Sequence, residues 1–281
     1  MFFAKSKEKE LKMIWEVKKN DERSFLVGTA HFFPYSFRSS LSRYIKNATA
    51  VLFEGPLDKD SMGNVVNAGF EKETVPHLFE SLDTRTIANI VREIAPAGRD
   101  RFLFSVFNSR SPGLEDPVYA MLKGMKPWLA FFTIWSKFLE KKGWKHSVDL
   151  EAYAIATEMG RNVLSLETIE EQIKVLESLS HERIAEFLKR INQWNSYAKE
   201  YVKYYLEGDL EKLSSIWSGF PSRRFSVIEG RDQILLGRML KHIEKGGALA
   251  CVGSPHIRGI SEMLRTEGYE VHQLSSESCS P

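Results

Sequence analysis

Hydrophobic and polar positions along this chain follow two regimes. Short unbroken apolar runs bounded by turn formers lie near both ends, and stretches with apolar residues every three or four positions fill the middle. Phe25-Leu26-Val27 and Ala248-Leu249-Ala250-Cys251-Val252 read as strands covered on both faces, because a strand wetted on one side would alternate. Leu11–Val17 and Ser24–Ala30 flank the polar segment Lys18–Arg23, with Asn20-Asp21 at its centre, which predicts an opening hairpin. Ala50–Phe53, Asn162–Leu166 and Tyr269–Leu274 complete the strand-like segments.

The helical signals are mostly caps and stops. Ser36 is placed to cap a helix over Phe37–Asn47, and Asp83 one that runs to Ile94. Pro127 suits the first position of a helix over Trp128–Glu140, where its missing N–H breaks no intrahelical bond. Asp149 begins another, stopped at Gly160. Thr168 with Glu171 makes a capping box for helices that continue to about Leu213, interrupted at Ser180 and Gly208. The aromatic-rich stretch Phe187–Trp217 has the spacing of packed helix faces. Arg231 opens a helix to Glu244 that Gly246-Gly247 closes, and Ile260–Glu267 forms one stopped by Gly268. A loop is marked at Ser111-Pro112-Gly113, and the tail from Ser275 reads as disordered. The pattern predicts an α/β protein whose central sheet is formed by N- and C-terminal strands around an α-rich middle. It is read as one domain over 1–281, with a helical insertion at about 59–147 and a helical segment at about 168–217.

Polar residues recur where the apolar runs stop. The second run ends in Gly28-x-x-His31 and the fifth in Gly253-x-x-His256, while Glu54 and Glu167 end the runs between them. If the two Gly-x-x-His strands lie side by side, roughly 4.8 Å apart, both imidazoles reach the crevice at the carboxyl edge of the sheet, where open α/β sheets bind ligands.

Composition narrows the function classes. A chain of 281 residues with 43% hydrophobic and 27% charged residues is ordinary for a globular protein. The net charge of +2 is spread among acids, with no basic stripe for nucleic acid. The two cysteines, Cys251 and Cys279, make neither a disulfide framework nor a metal knuckle, and a reducing, cytoplasmic setting fits them. The N-terminus lacks the apolar core of a secretory signal. The apolar stretch Pro127–Trp135, bracketed by Lys126 and Lys137, is shorter than the about 20 residues of a membrane span and reads as a buried or interfacial helix.

Several segments resemble the TraB/PrgY/GumN family, which also includes the Tiki-type proteases. They are Ile14-Trp15-Glu16-Val17, Gly28-Thr29-Ala30-His31, Glu54 in Leu52-Phe53-Glu54, Val148-Asp149-Leu150, Leu166-Glu167-Thr168 with Glu171-Gln172, Arg231-Asp232, and Gly253-x-x-His256 followed by Gly259. The resemblance implies an α/β fold related to erythromycin esterase and the haem-binding ChaN proteins. For Tiki-type members it implies metal-dependent proteolysis that relies on both Gly-x-x-His motifs and a glutamate. Asp232 stands where many relatives have asparagine, and Pro255 precedes His256 in a loop often rich in Gly or Ala.

Each candidate residue has two readings. His31, His256 and Glu54 suit a divalent Mn, Co or Zn ion, or the histidines are satisfied by backbone groups. Glu54 is alternatively the general base for water, or a helix cap. Glu167 faces the crevice or complements the dipole of the next helix. Arg231 holds a substrate carboxylate or Glu54, or pairs structurally with Asp232 or Glu229. Gly28 and Gly253 let backbone approach a cofactor or substrate, or only turn tightly. Asp149, Gln172 and Gln233 read as structural, and His77, His146, His181, His242 and His272 are set aside. Two functions follow. One is a metal-dependent hydrolase of a peptide or related amide or ester. The other is a non-catalytic binding or signal-regulating protein holding a peptide, pheromone-like or haem ligand in the same crevice.

Overall fold

The computed structural model describes residues 8–71, 78–95, 117–216, 219–222 and 225–274. The expected loop at 111–113, the tail from Ser275, Cys279, His77 and Trp217 lie outside the described residues. Strands β1 (Ile14–Lys19) and β2 (Glu22–Thr29) form the opening hairpin, paired from Ile14↔Val27 to Lys19↔Glu22. Its turn uses Asn20 at φ 55°, a left-handed conformation that asparagine tolerates better than most residues. After α1 (Arg38–Ile45) comes β3 (Ala50–Phe53). Then follow α2 (Lys59–Ala68), α3 (Thr84–Ile94), α4 (Pro117–Leu122), α5 (Pro127–Lys141) and α6 (Val148–Glu158).

Strand β4 (Asn162–Ser165) leads to α7 (Ile169–Glu177), α8 (His181–Lys189), α9 (Trp194–Glu207), α10 (Leu210–Ile216) and α11 (Phe225–Ile243). The chain closes with β5 (Ala248–Gly253), α12 (His256–Thr266) and β6 (Glu270–Gln273). The strands make one mixed sheet in the order β4-β3-β5-β2-β1-β6. Strands β4, β3, β5 and β2 run parallel, while β1 and β6 are antiparallel to their neighbours. The α/β class and the helical middle are as the pattern predicts.

Burial explains the unbroken apolar runs. Every residue of β3 is buried, and β5 is buried up to its final glycine, because both are covered by helices on each face. The edge strands β4 and β6 are short and mostly polar toward solvent, which blunts them against pairing with other chains. The aromatic stretch is core. Trp194 and Tyr205 are fully buried, and Trp135 meets Trp194 edge to face at 5.0 Å between ring centroids. The Tyr205 hydroxyl donates to the Gly28 carbonyl at 2.6 Å, which fastens α9 beneath the end of β2. Helix α5 is likewise a packed helix, with Phe131, Ile134 and Phe138 fully buried.

The caps hold with local changes. Asp83 and Thr168 accept the expected N–H groups, and Glu171 closes the capping box. The first helix starts at Arg38 with Phe37 in the cap position, and the Ser36 hydroxyl accepts the Arg38 N–H at 3.3 Å. The Arg231 helix begins earlier than expected, at Phe225, so Arg231 lies inside it rather than at its start. The last expected helix also starts sooner, at His256, which seats that imidazole at a helix N-terminus.

A candidate active site at the carboxyl edge of the sheet

Strands β2 and β5 pair in parallel with Thr29 opposite Gly253, and β3 and β5 with Phe53 opposite Cys251. Their three exits therefore open on one place. A cavity of about 470 Å³ lies there, lined among others by His31, Glu54, Asp149, Arg231, Gly253 and His256. That volume suits a small-molecule ligand.

Beyond Phe53 the β3–β4 pairing continues in the loops. The Leu166 N–H donates to Phe53 O at 2.8 Å and the Glu167 N–H to Glu54 O at 2.6 Å, which sets the two glutamates side by side. Arg231 reaches both from α11. Its Nε and Nη2 donate to Glu167 Oε1 and Oε2 at 2.8 and 2.7 Å, and Nη2 also donates to Glu54 Oε2 at 2.8 Å. This forked contact needs the planar guanidinium. Helix α11 is fixed against the same loop by Arg238, which donates to Leu166 O and pairs with both oxygens of Glu171. Glu167 is 4% exposed and sits behind Arg231, outside the cavity lining.

Glu54 Oε1 accepts the Gly253 N–H at 2.5 Å. Burial raises the Glu54 pKa, but His256, Arg231, His31 and the Gly253 N–H outweigh it and hold the carboxyl at about 2. A side chain at 253 would bring a Cβ to 2.9 Å from Glu54 Oε1, so this glycine gives the carboxylate room. Gly28 plays a different part. It is buried short of the cavity wall, with space for a Cβ closed at 3.1 Å by Ile257 of α12 and at 3.3 Å by Met13.

The two histidines are each held by a buried aspartate. His256 Nδ1 lies 2.5 Å from Asp232 Oδ1, and its Nε2 is 3.2 Å from Arg231 Nη1. A guanidinium only donates, so Nε2 is the acceptor and Nδ1 carries the proton toward Asp232. Gly259 permits the pair, since a Cβ there would fall 2.0 Å from Asp232 Oδ2. His31 Nδ1 lies 2.9 Å from Asp149 Oδ2. Asp149 is brought there because the first turn of α6 is tied to the end of β2 by the Val148 N–H to Ala30 O bond at 2.9 Å. The Asp149 charge raises the His31 pKa most, against burial, and with its hydrogen bond and the Glu54 charge the imidazole titrates at about 9. Although walled in by the cavity, 72% of the His31 side chain remains accessible, compared with 4% for His256.

The sequence reading missed both aspartates as site residues. Asp149 in the first turn of a capped helix looks like a dipole-complementing carboxylate, and Asp232 appeared only as a local partner for Arg231. The segments Val148-Asp149-Leu150 and Arg231-Asp232 of the family resemblance were the available signal. The ion-pair reading of Arg231 had its partners elsewhere, since the guanidinium binds Glu167 and Glu54. His146 pairs with Glu151, and His181 with Ser81, away from this cavity.

The expected metal set of His31, His256 and Glu54 does not fit this arrangement as it stands. Among the described residues no group of three or more His, Cys, Asp or Glu side chains is disposed to hold an ion. Arg231 occupies the His256 Nε2 lone pair and one Glu54 oxygen, and a divalent ion on those atoms would face a guanidinium at contact distance. Among the described residues no helix is long and apolar enough to cross a membrane.

The fold and this edge site define an α/β protein with a polar crevice built from distant segments. A sequence profile of the TraB/PrgY/gumN family matches residues 13–273, nearly the whole chain, and the protein belongs to that family. Neither the curated proteins nor the solved structures contain a match to it.

Proposed function

We propose that this crevice hydrolyses an acyl bond, an ester or amide of a peptide or small molecule. The observation that carries the reading is the pair of aspartate-held imidazoles on one cavity, one an acid and the other a proton acceptor. The two rings differ in their surroundings, since Asp149 raises the pKa of His31 while Arg231 lies against His256 Nε2, and such a difference suits a division of acid and base roles. In this reading Arg231 Nη1 moves from His256 Nε2 to the substrate carbonyl oxygen, which frees the Nε2 lone pair to take a proton from water as the water oxygen bonds to the acyl carbon. His31, protonated at neutral pH, gives its proton to the leaving oxygen or nitrogen as the acyl bond breaks. The products are the carboxylic acid and the alcohol or amine, and the proton on His256 returns through solvent to His31.

Arg231 meets the negative charge that develops on the carbonyl oxygen. Glu54 and Glu167 hold Arg231 in place, and Glu54 also fixes the Gly253 turn. No step in this reading is assigned to a metal.

The test is a panel of chromogenic esters and peptide amides assayed after chelator treatment and again with Mn, Co or Zn supplied. Chelator-resistant cleavage that falls by about 10²–10⁴ in His31→Ala is expected. Cleavage that appears only with added metal would remove the assignment to the imidazole pair. No cleavage of any substrate would return the crevice to the binding or signal-regulating class.

A further inference from the structure

The cavity is polar only at its floor. One wall is the helix α2, which buries none of its residues and turns Met62, Val65 and Val66 toward the cavity. Met62 is 40% and Val66 47% exposed, among the few large apolar side chains that the described residues leave open to solvent. The aromatic part of the lining includes Phe132, Trp135, Trp144 and Phe220. Helix α2 is nevertheless anchored. Asp58 caps its start, and Gly69 at its end packs so closely on Leu129 and Trp128 that a Cβ there would fall within 3.0 Å of both. An apolar stripe held over a cavity, with no side chain among the described residues covering it, leaves apolar area for a ligand to bury.

Charge decides which ligand. Of the ionised groups that line the cavity, Arg231 is shared by Glu54 and Glu167, and His31 is bound to Asp149. Glu167 and Asp232, the carboxylates in excess, lie outside the lining, so among the described residues the floor offers no free cation to an anionic head group and no free carboxylate to an ammonium. We infer that the site takes an uncharged acyl compound with an apolar chain or ring system, its carbonyl at the His31–Arg231 floor and its chain along α2 and the aromatic lining. The inference rests on the hydrolytic reading for which end of the ligand lies at the floor, and on the walls alone for its apolar character. For an ester, water adds to the carbonyl carbon, the bond to the alkoxide oxygen breaks, and the products are the chain acid and the alcohol.

Binding is measured separately from turnover. Trp135 and Trp144 line the cavity, so their fluorescence reports occupancy. Titration of the full-length protein with neutral 2-decanone, which holds a carbonyl but no scissile acyl bond, is expected to give a saturable change. Each pair of methylenes removed from the ketone should weaken binding about tenfold. Decanoate, charged at the head, should bind at least tenfold more weakly than the ketone. Val66→Asp, at a position open to solvent, should weaken 2-decanone binding at least tenfold with unchanged thermal unfolding, and Met62→Asp should repeat the effect. Affinity that ignores chain length, decanoate binding as tightly as the ketone, or full affinity in both aspartate variants would overturn the inference. The two readings fail separately. Ketone binding as described without cleavage of 4-nitrophenyl decanoate supports the apolar site and removes hydrolysis. His31-dependent cleavage of 4-nitrophenyl acetate with no ketone binding does the reverse.

Discussion

Two Gly-x-x-His segments leave two adjacent parallel strands, and they deliver their imidazoles to different surroundings. After Gly253 the chain enters a helix at once, so His256 is sealed at the first position of α12 and its neighbours are Asp232 and Arg231. After Gly28 the chain runs into a loop pinned by the Phe33 N–H to His146 O bond at 2.7 Å, and His31 stands open in the cavity. One motif thus gives a buried imidazole and an accessible one, and what separates them is the element that follows each turn. Repetition of a motif in sequence does not imply equivalence of its copies.

The sharpest test of that difference is the pair His31→Ala and His256→Ala. Both should lower turnover by about 10²–10⁴. Each leaves a buried aspartate without its partner, but His256→Ala should destabilise the fold more, because it also empties the space of a buried ring where His31 stands open; urea unfolding of both variants makes the comparison. Equal stability would break it.

Arg231→Met comes next. It leaves Glu54 and Glu167 as buried uncompensated carboxylates, which costs about 3–5 kcal/mol when one partner of such a pair is removed. Arg231→Lys should recover only part of this, since an ammonium cannot make the forked contact with Glu167. The urea midpoint at constant slope is the readout.

Gly259→Ala isolates the buried copy. The added Cβ collides with Asp232, and a loss of about 1–3 kcal/mol is expected from the forced shift. The titration of His31, followed by nuclear magnetic resonance, should not move.

The smallest effect belongs to the open copy. In Asp149→Asn the His31 pKa should fall from about 9 toward the ordinary 6.5. The raised pKa means that the His31–Asp149 attraction stabilises the fold fully below about 6.5 and is lost as pH rises through about 9. Turnover that needs protonated His31 falls through the same upper limit, and in Asp149→Asn that limb should move to lower pH. An unmoved limb would take the acid role away from His31.

The strands, the hairpin and most caps were legible because each is written in consecutive residues, as with Asn20-Asp21 or Thr168 and Glu171. The convergence of His31, Glu54 and His256 was legible too, since it follows from strand ends once the sheet is parallel. The aspartates behind the two histidines were not, nor was the contact of Arg231 with Glu167. Asp149 is 118 residues from His31, and Arg231 is 64 from Glu167. Pairing at such separation is set by how helices dock on the sheet, and neither periodicity nor capping reports it. Arg231 was also placed at a helix start because Gly230 masked the extra turn back to Phe225.

The sheet order carries a consequence for synthesis. Strand β5, the central partner of both β2 and β3, is synthesised roughly 200 residues after them. At about 5–20 residues per second, β2 and β3 wait roughly 10–45 s for the strand that joins them. Until then two strands with unpaired backbone edges stand apart in the nascent chain, and a message truncated before residue 248 encodes a protein whose sheet lacks the strand between them.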